Sequence, residues 1–154
     1  MKLEIELVPS TIWFSNIRNA VSKDDWDKIR EESYAKTNYK CGICGVTGKL
    51  NCHEIWEYDD KNKIQRLNGF IALCDNCHWI KHIGLAGIMS NKGKLNYEEL
   101  IEHFCKVNEC TRESFLKYEE EAFKKWEERS KHQWKQDFGI YSKSIKPSNN
   151  HKIR

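Results

Sequence analysis

No stretch of this 154-residue chain approaches the roughly 18 consecutive apolar residues that a membrane-crossing helix needs. The N-terminus, MKLEIELVPS, alternates charged with apolar residues and lacks the apolar block of a secretory signal. The expected location is therefore the cytoplasm, where a reducing environment argues against disulfides for the seven cysteines. Strong charge of one sign is also missing. A net charge of +3 does not by itself imply a nucleic-acid partner. There is no internal repeat, and with 39% hydrophobic and 32% charged residues the chain suits one compact domain with appendages rather than a large core.

What is present divides into four stretches. Residues 1–38 open with KLEIELV, whose period-two alternation ends at Pro9 and predicts a short edge strand over 2–8. Ser22 then precedes KDDWDKIREESYAKT, with acids in the first turn and Trp26, Ile29 and Ser33 at helical spacing, which predicts a helix over about 23–37. Residues 39–90 carry five of the seven cysteines and three of the six histidines. Residues 91–134 read as a helical extension. Asn96 caps YEELIEHFCKVN with Glu99 placed for a capping box, and Thr111 opens a helix running to about Trp134. Phe115, Ala122, Phe123 and Trp126 give that helix one apolar stripe, the usual mark of packing on its own domain. Residues 135–154 form a basic tail expected to be flexible. From Lys131 onward it has six Lys/Arg against one acid, Asp137, and it could track phosphates or simply keep the chain in solution.

The metal-binding pattern is the firmest signal. Cys41-Gly-Ile-Cys44-Gly reads as a knuckle whose glycines let both sulfurs face one point. After 29 intervening residues, Cys74-Asp-Asn-Cys77 runs into HWIKHIGLA, which reads as a helix start. Between the pairs, NCHEIWEYDDKNKIQRLNGFIALC reads as two strands around an Asp-Asp-Lys-Asn turn. Knuckle, hairpin and helix in this order predict an α+β chain built on a treble-clef zinc domain. Four thiolates would close a tetrahedron, leaving a structural zinc with no open position. Cys105 and Cys110 fall outside this pattern.

Three histidines remain. Residues at i and i+4 share a helix face, so His78 and His82 can point at one ion. His53 sits on the first hairpin strand, beside the same helix in a treble clef. Two helix histidines as ligands and a strand histidine as base would make a metal-dependent hydrolytic site, with an ion stabilising phosphate charge and the imidazole taking a proton from water. Each histidine also has a plainer use, in helix capping, packing or a bond to a carbonyl.

Over residues 38–85 the sequence resembles the HNH, or ββα-metal, endonucleases in their zinc-stabilised form. The CxxC pair, Cys52-His53, Asn68 and Leu-Cys-x-x-Cys-His-x-x-Lys-His carry the resemblance. It implies DNA phosphodiester hydrolysis, with His53 as general base and Asn68 as the nearest candidate for the asparagine that holds the catalytic loop. It also implies His78 and His82 as ligands of a second divalent cation, whether zinc, nickel, manganese or magnesium. Many members place an aspartate or histidine ligand where this chain has Cys52, which is either a soft metal ligand or a buried thiol. The family's asparagine commonly lies five residues before the second cysteine pair, at Gly69 here, one position from Asn68. Glu54, Glu57 or Asp59 could supply a missing carboxylate. Lys81, Arg66 and Lys49 are the basic candidates for phosphate contact. DNA is the expected partner and a membrane is not. The competing reading is a catalytically silent zinc module that binds nucleic acid or a protein partner.

Overall fold

Side-chain alternation along one hairpin divides the protein into two hydrophobic layers. The computed structural model describes residues 1–13 and 15–145, in the order α1 (Ile17–Ala20), α2 (Lys23–Lys36), β1 (Asn51–Asp59), β2 (Ile64–Leu73), α3 (Asp75–Lys81), α4 (Ile83–Asn91), α5 (Tyr97–Asn108), α6 (Arg112–Arg129) and β3 (Lys135–Asp137). A 3-10 turn over Gly139–Ser144 follows. The architecture is mixed α and β around a three-stranded sheet, ordered β1-β2-β3. None of the described helices is long and apolar enough to cross a membrane.

The helices begin where their caps dictate. Ser22 accepts from the Asp25 amide, Asn96 from those of Glu98 and Glu99, and Thr111 from that of Ser114, each satisfying an amide that would otherwise lack an intrahelical partner. Helix α6 ends at Arg129, short of the expected Trp134, and Trp134 instead buries its ring and donates its indole N–H to the Arg129 carbonyl. Beyond it the expected tail is partly structured. Lys135–Asp137 pair in parallel with Ile64–Arg66, and Ile145 bridges to Val21. The basic residues Lys146, Lys152 and Arg154 lie outside the described residues.

Antiparallel pairing of β1 with β2 sets Cys52 against Ala72 and His53 against Ile71. The turn between them is closed by Asp59, whose carboxylate accepts from the backbone and side-chain nitrogens of Asn62. Because successive strand residues face opposite ways, Cys52, Trp56, Leu67 and Phe70 join α1, α2 and the C-terminal turn in one layer. Ile71 and Leu73 point the other way, against α3, α5 and α6. Phe104 and Phe115 are completely buried in that second layer, with ring centroids 4.9 Å apart. The α6 stripe packs here as well: Ala122 and Phe123 lie against this core, and Trp126 donates to the Val8 carbonyl.

The N-terminal segment is not the edge strand that its alternation predicts. Leu3 and Ile5 are buried as the period requires, but the backbone joins no ladder. Its polar groups find other partners. Leu3 exchanges hydrogen bonds with the Asn108 side chain, the Ile5 amide donates to the Tyr118 hydroxyl, and the Glu6 amide donates to the Lys81 carbonyl. Alternation fixes which side chains go inward, but it does not specify who accepts the backbone hydrogen bonds.

Candidate metal centre

Among the described residues, two groups of metal-ligating side chains converge, one at each end of α3. The first is Cys41, Cys44, Cys74 and Cys77, whose sulfurs all lie within 4.8 Å of one another and could hold a metal ion. Local chemistry builds it. An antiparallel bridge between Lys40 and Thr47 closes the knuckle, and Gly45 takes the left-handed φ of 78° that lets the chain turn back beneath the sulfurs. The Gly42 amide donates to the Ala72 carbonyl at 2.8 Å, tying the knuckle to β2. Cys74 is the N-cap of α3, its sulfur accepting from the Cys77 amide.

The chemistry of this set fits a divalent cation. Sulfurs about 2.3 Å from a tetrahedral zinc would be about 3.8 Å apart, and Cys44 Sγ lies 3.7 Å from Cys74 Sγ. Hydrogen bonds from Cys74 and Cys77 hold the Cys41 thiol far below its usual range. The same bonds push those two donors up, Cys74 to about 11. Thiols this close compete for the same protons, which favours a shared negative charge over four neutral groups. A cation would favour thiolates throughout.

The second group is His53, His78 and His82, whose ring nitrogens also come within 4.8 Å of one another. His53 comes from β1 and is only 4% exposed, while the other two come from α3 and its C-cap. The His53 ring centroid is 5.6 Å from that of His78 and 5.2 Å from that of His82. His82 breaks helical geometry where α3 passes into α4, yet its amide still donates to the His78 carbonyl, and the i,i+4 pairing of the rings survives. Burial lowers His78 to about 4 and His82 to about 3, with the neighbouring imidazoles adding to the effect. Both are therefore neutral near pH 7, the form that coordinates a metal.

Several sequence assignments change. Cys52 does not join the histidines, because strand alternation turns it to the opposite layer. There it is half-buried and accepts from Ser33 Oγ at 3.4 Å, and desolvation pushes its thiol up, so it behaves as a packed thiol. Asn68 is exposed and donates to Glu57, away from the histidine group. It is the extra residue of a bulge: Gly69 opposes Ile55 and Leu67 opposes Trp56, which leaves Asn68 unpaired. Gly69 itself has φ 147°, a conformation that strains an asparagine, so this backbone disfavours an asparagine at the family's position. Glu54 accepts from the Ile17 amide in the other layer, where burial raises it to about 7. Asp59 serves the hairpin turn.

The basic candidates separate too. Lys81 is buried, with 7% exposure, and its ammonium lies 3.0 Å from Glu6 Oε1, so it offers phosphate no surface. Arg66 is shared between Asp59 and Asp137. Lys49 alone remains well exposed, with a 3.6 Å ion pair to Asp75.

Two residues escaped the sequence. His103 of α5 places Nε2 3.1 Å from Cys77 Sγ, a contact from another helix that no spacing announces. Glu6 places Oε2 2.7 Å from His53 Nε2. Burial alone would raise the Glu6 carboxyl, but the hydrogen bonds and charges of His53 and Lys81 outweigh it and hold the group below its usual value. The carboxylate that meets the histidine group is Glu6, which pairs with His53 and Lys81, and not Glu54, Glu57 or Asp59. Comparison with known family models finds no match, and neither a comparison with curated proteins nor one with solved structures finds one.

Proposed function

We propose that this chain is a metal-dependent endonuclease of the HNH type acting on DNA, built on a treble-clef core whose four cysteines hold a structural zinc. The observation that carries the reading is the convergence of a strand histidine, His53, with two helix histidines, His78 and His82, beside that cysteine set. The histidine donor set is nitrogen only, which favours zinc or nickel over magnesium or manganese for the second ion. When bound, that ion would supply charge neutralisation at a phosphate. His78 and His82, neutral and partly buried, are the residues to hold it. His53 is the residue to accept a proton from water, since its ring lies within the same small space while its Nε2 is occupied by Glu6.

A plasmid-nicking assay tests the reading. Supercoiled DNA is incubated with the full chain and magnesium, manganese, nickel or zinc in turn, beside His53→Ala. Metal-dependent nicking that falls by about 10²–10⁴-fold in a folded His53→Ala protein is the expected result. The displaced Asn68 and the buried Lys81 favour a second reading, a catalytically silent zinc module that binds nucleic acid or a protein partner. DNA retention without nicking by any of the four ions would establish it over the first.

A further inference from the structure

The N-terminal segment is tied along its length by hydrogen bonds to α5, α6 and Lys81, and Glu6 is where it meets the histidines. Its amide donates to the Lys81 carbonyl, its Oε1 takes the Lys81 ammonium, and its Oε2 faces His53 Nε2 at 2.7 Å. On one side, Leu3 and Ile5 are buried and pinned by Asn108 and Tyr118. On the other, Val8 accepts from Trp126. Helices α5 and α6, remote in sequence, thus fix the position of one carboxylate.

A carboxylate already paired with a lysine accepts hydrogen bonds and does not donate them. The proton in the Glu6–His53 contact therefore resides on Nε2. In the neutral imidazole, that leaves the lone pair on Nδ1. We propose that Glu6 is a positioning residue for His53, fixing the Nε2–H tautomer and ring orientation so that Nδ1 is the basic atom presented to the space shared with His78 and His82. Lys81, placed between those histidines in sequence, orients Glu6 in turn. The catalytic consequence rests on the nuclease reading, but the tautomer does not.

This assignment accounts for two departures together. With Asn68 displaced by the bulge, the asparagine expected to hold the catalytic loop is not at the site, and Glu6 provides a hold on the base itself. Lys81 is buried because its charge is needed opposite Glu6. An orienting carboxylate on a catalytic imidazole is worth up to about 10⁴-fold in rate where it has been removed elsewhere, through loss of the correct tautomer.

The test is long-range 1H–15N correlation of the histidine rings in the full chain after mild chelation has left one zinc per chain, with wild type compared with Glu6→Gln and Glu6→Ala. The expected wild-type signature is a protonated Nε2 and an unprotonated Nδ1 on His53. In Glu6→Gln, nearly isosteric, the side-chain amide can donate to the ring, so the signature is mixed or reversed while zinc content and backbone spectrum stay unchanged. An Nδ1–H tautomer in the wild type, or the same signature in both variants, overturns the proposal. Nicking kinetics then separate the two claims. Glu6→Gln should lower kcat by about 10²–10⁴-fold with little change in KM. Wild-type nicking that Glu6→Gln leaves intact overturns the role of Glu6 alone. The expected signature in a chain that nicks with no ion rejects the nuclease reading and leaves Glu6 as the residue that sets the His53 tautomer.

Discussion

The two clusters at the ends of α3 share a helix and little else. The cysteine set is assembled from two short motifs and closes on itself, with all four protein ligands supplied. The histidine set needs β1, α3 and the distant N-terminal segment, and it offers three nitrogens and a carboxylate already in use. A closed thiolate tetrahedron suits stability, whereas an open set of neutral imidazoles suits exchange and reaction. The difference teaches that residues adjacent in sequence, Cys77 and His78, can belong to separate donor sets, one of sulfur and one of nitrogen.

The sharpest way to break this comparison is to remove one ligand from each site. Cys77→Ser should abolish the folded state, because structural zinc sites contribute about 10–16 kcal/mol of apparent binding energy to folding. Near-UV circular dichroism would show the loss. His82→Ala should keep a cooperative thermal transition and one zinc per chain while losing metal-dependent nicking. Equal damage from both variants would mean that the histidines are structural as well.

A core substitution places the helical extension on the same scale. Phe104→Ala, in a completely buried site, should cost about 3–5 kcal/mol, read as a shift in the urea midpoint. It should leave the metal-binding capacity of the four cysteines in place at low temperature.

Protonation distinguishes the two faces of the hairpin. In metal-free protein, His78 and His82 have folded values of about 4 and 3, below their ordinary 6.5. Their contribution is therefore complete above about 6.5 and is lost as pH falls toward 3. Glu54 behaves oppositely. Its folded value of about 7 lies above the ordinary 4.5, so its contribution is complete below about 4.5 and is lost as pH rises through 7. Glu54→Gln can keep a carbonyl for the Ile17 amide and should flatten the alkaline side of the stability profile, an effect on the order of 3 kcal/mol. Urea midpoints measured from pH 4 to 8 would show a wild-type decline toward pH 7 that the variant lacks, while the histidine-dependent loss below about 6.5 stays in both.

The smallest effect is expected at the surface. Lys49→Ala should change stability by less than about 1 kcal/mol, since its partner Asp75 is half exposed. If Lys49 meets a phosphate, the salt dependence of DNA binding should fall by about one counterion.

Sequence revealed most where the determinants are local. The caps at Ser22, Asn96 and Thr111, the hairpin turn at Asp59 and both CxxC pairs are each settled within a few residues, and the structure has them where spacing places them. It revealed less where a partner lies far along the chain. Glu6 and His53 are 47 positions apart, and the segment bearing Glu6 looks like a strand because burial alternates, although its hydrogen bonds go to side chains. Arg129 likewise ends its helix before Trp134 because the tail adds a strand to the hairpin, which the composition of residues 135–137 does not advertise. The bulge at Asn68 is the intermediate case. The one-residue offset between Asn68 and Gly69 is visible in the sequence, but only pairing with β1 shows the bulge that takes Asn68 out of the site.

The most direct test of the division between the clusters is metal stoichiometry by native mass spectrometry, before and after mild chelation, on the zinc-loaded chain. Two zinc ions per chain are predicted, with one removed by the chelator while the fold and the second ion remain, and with only one ever bound by His78→Ala. A single zinc in the wild type, or the loss of both ions in one step with unfolding, would contradict a structural site and an exchangeable site on the same helix.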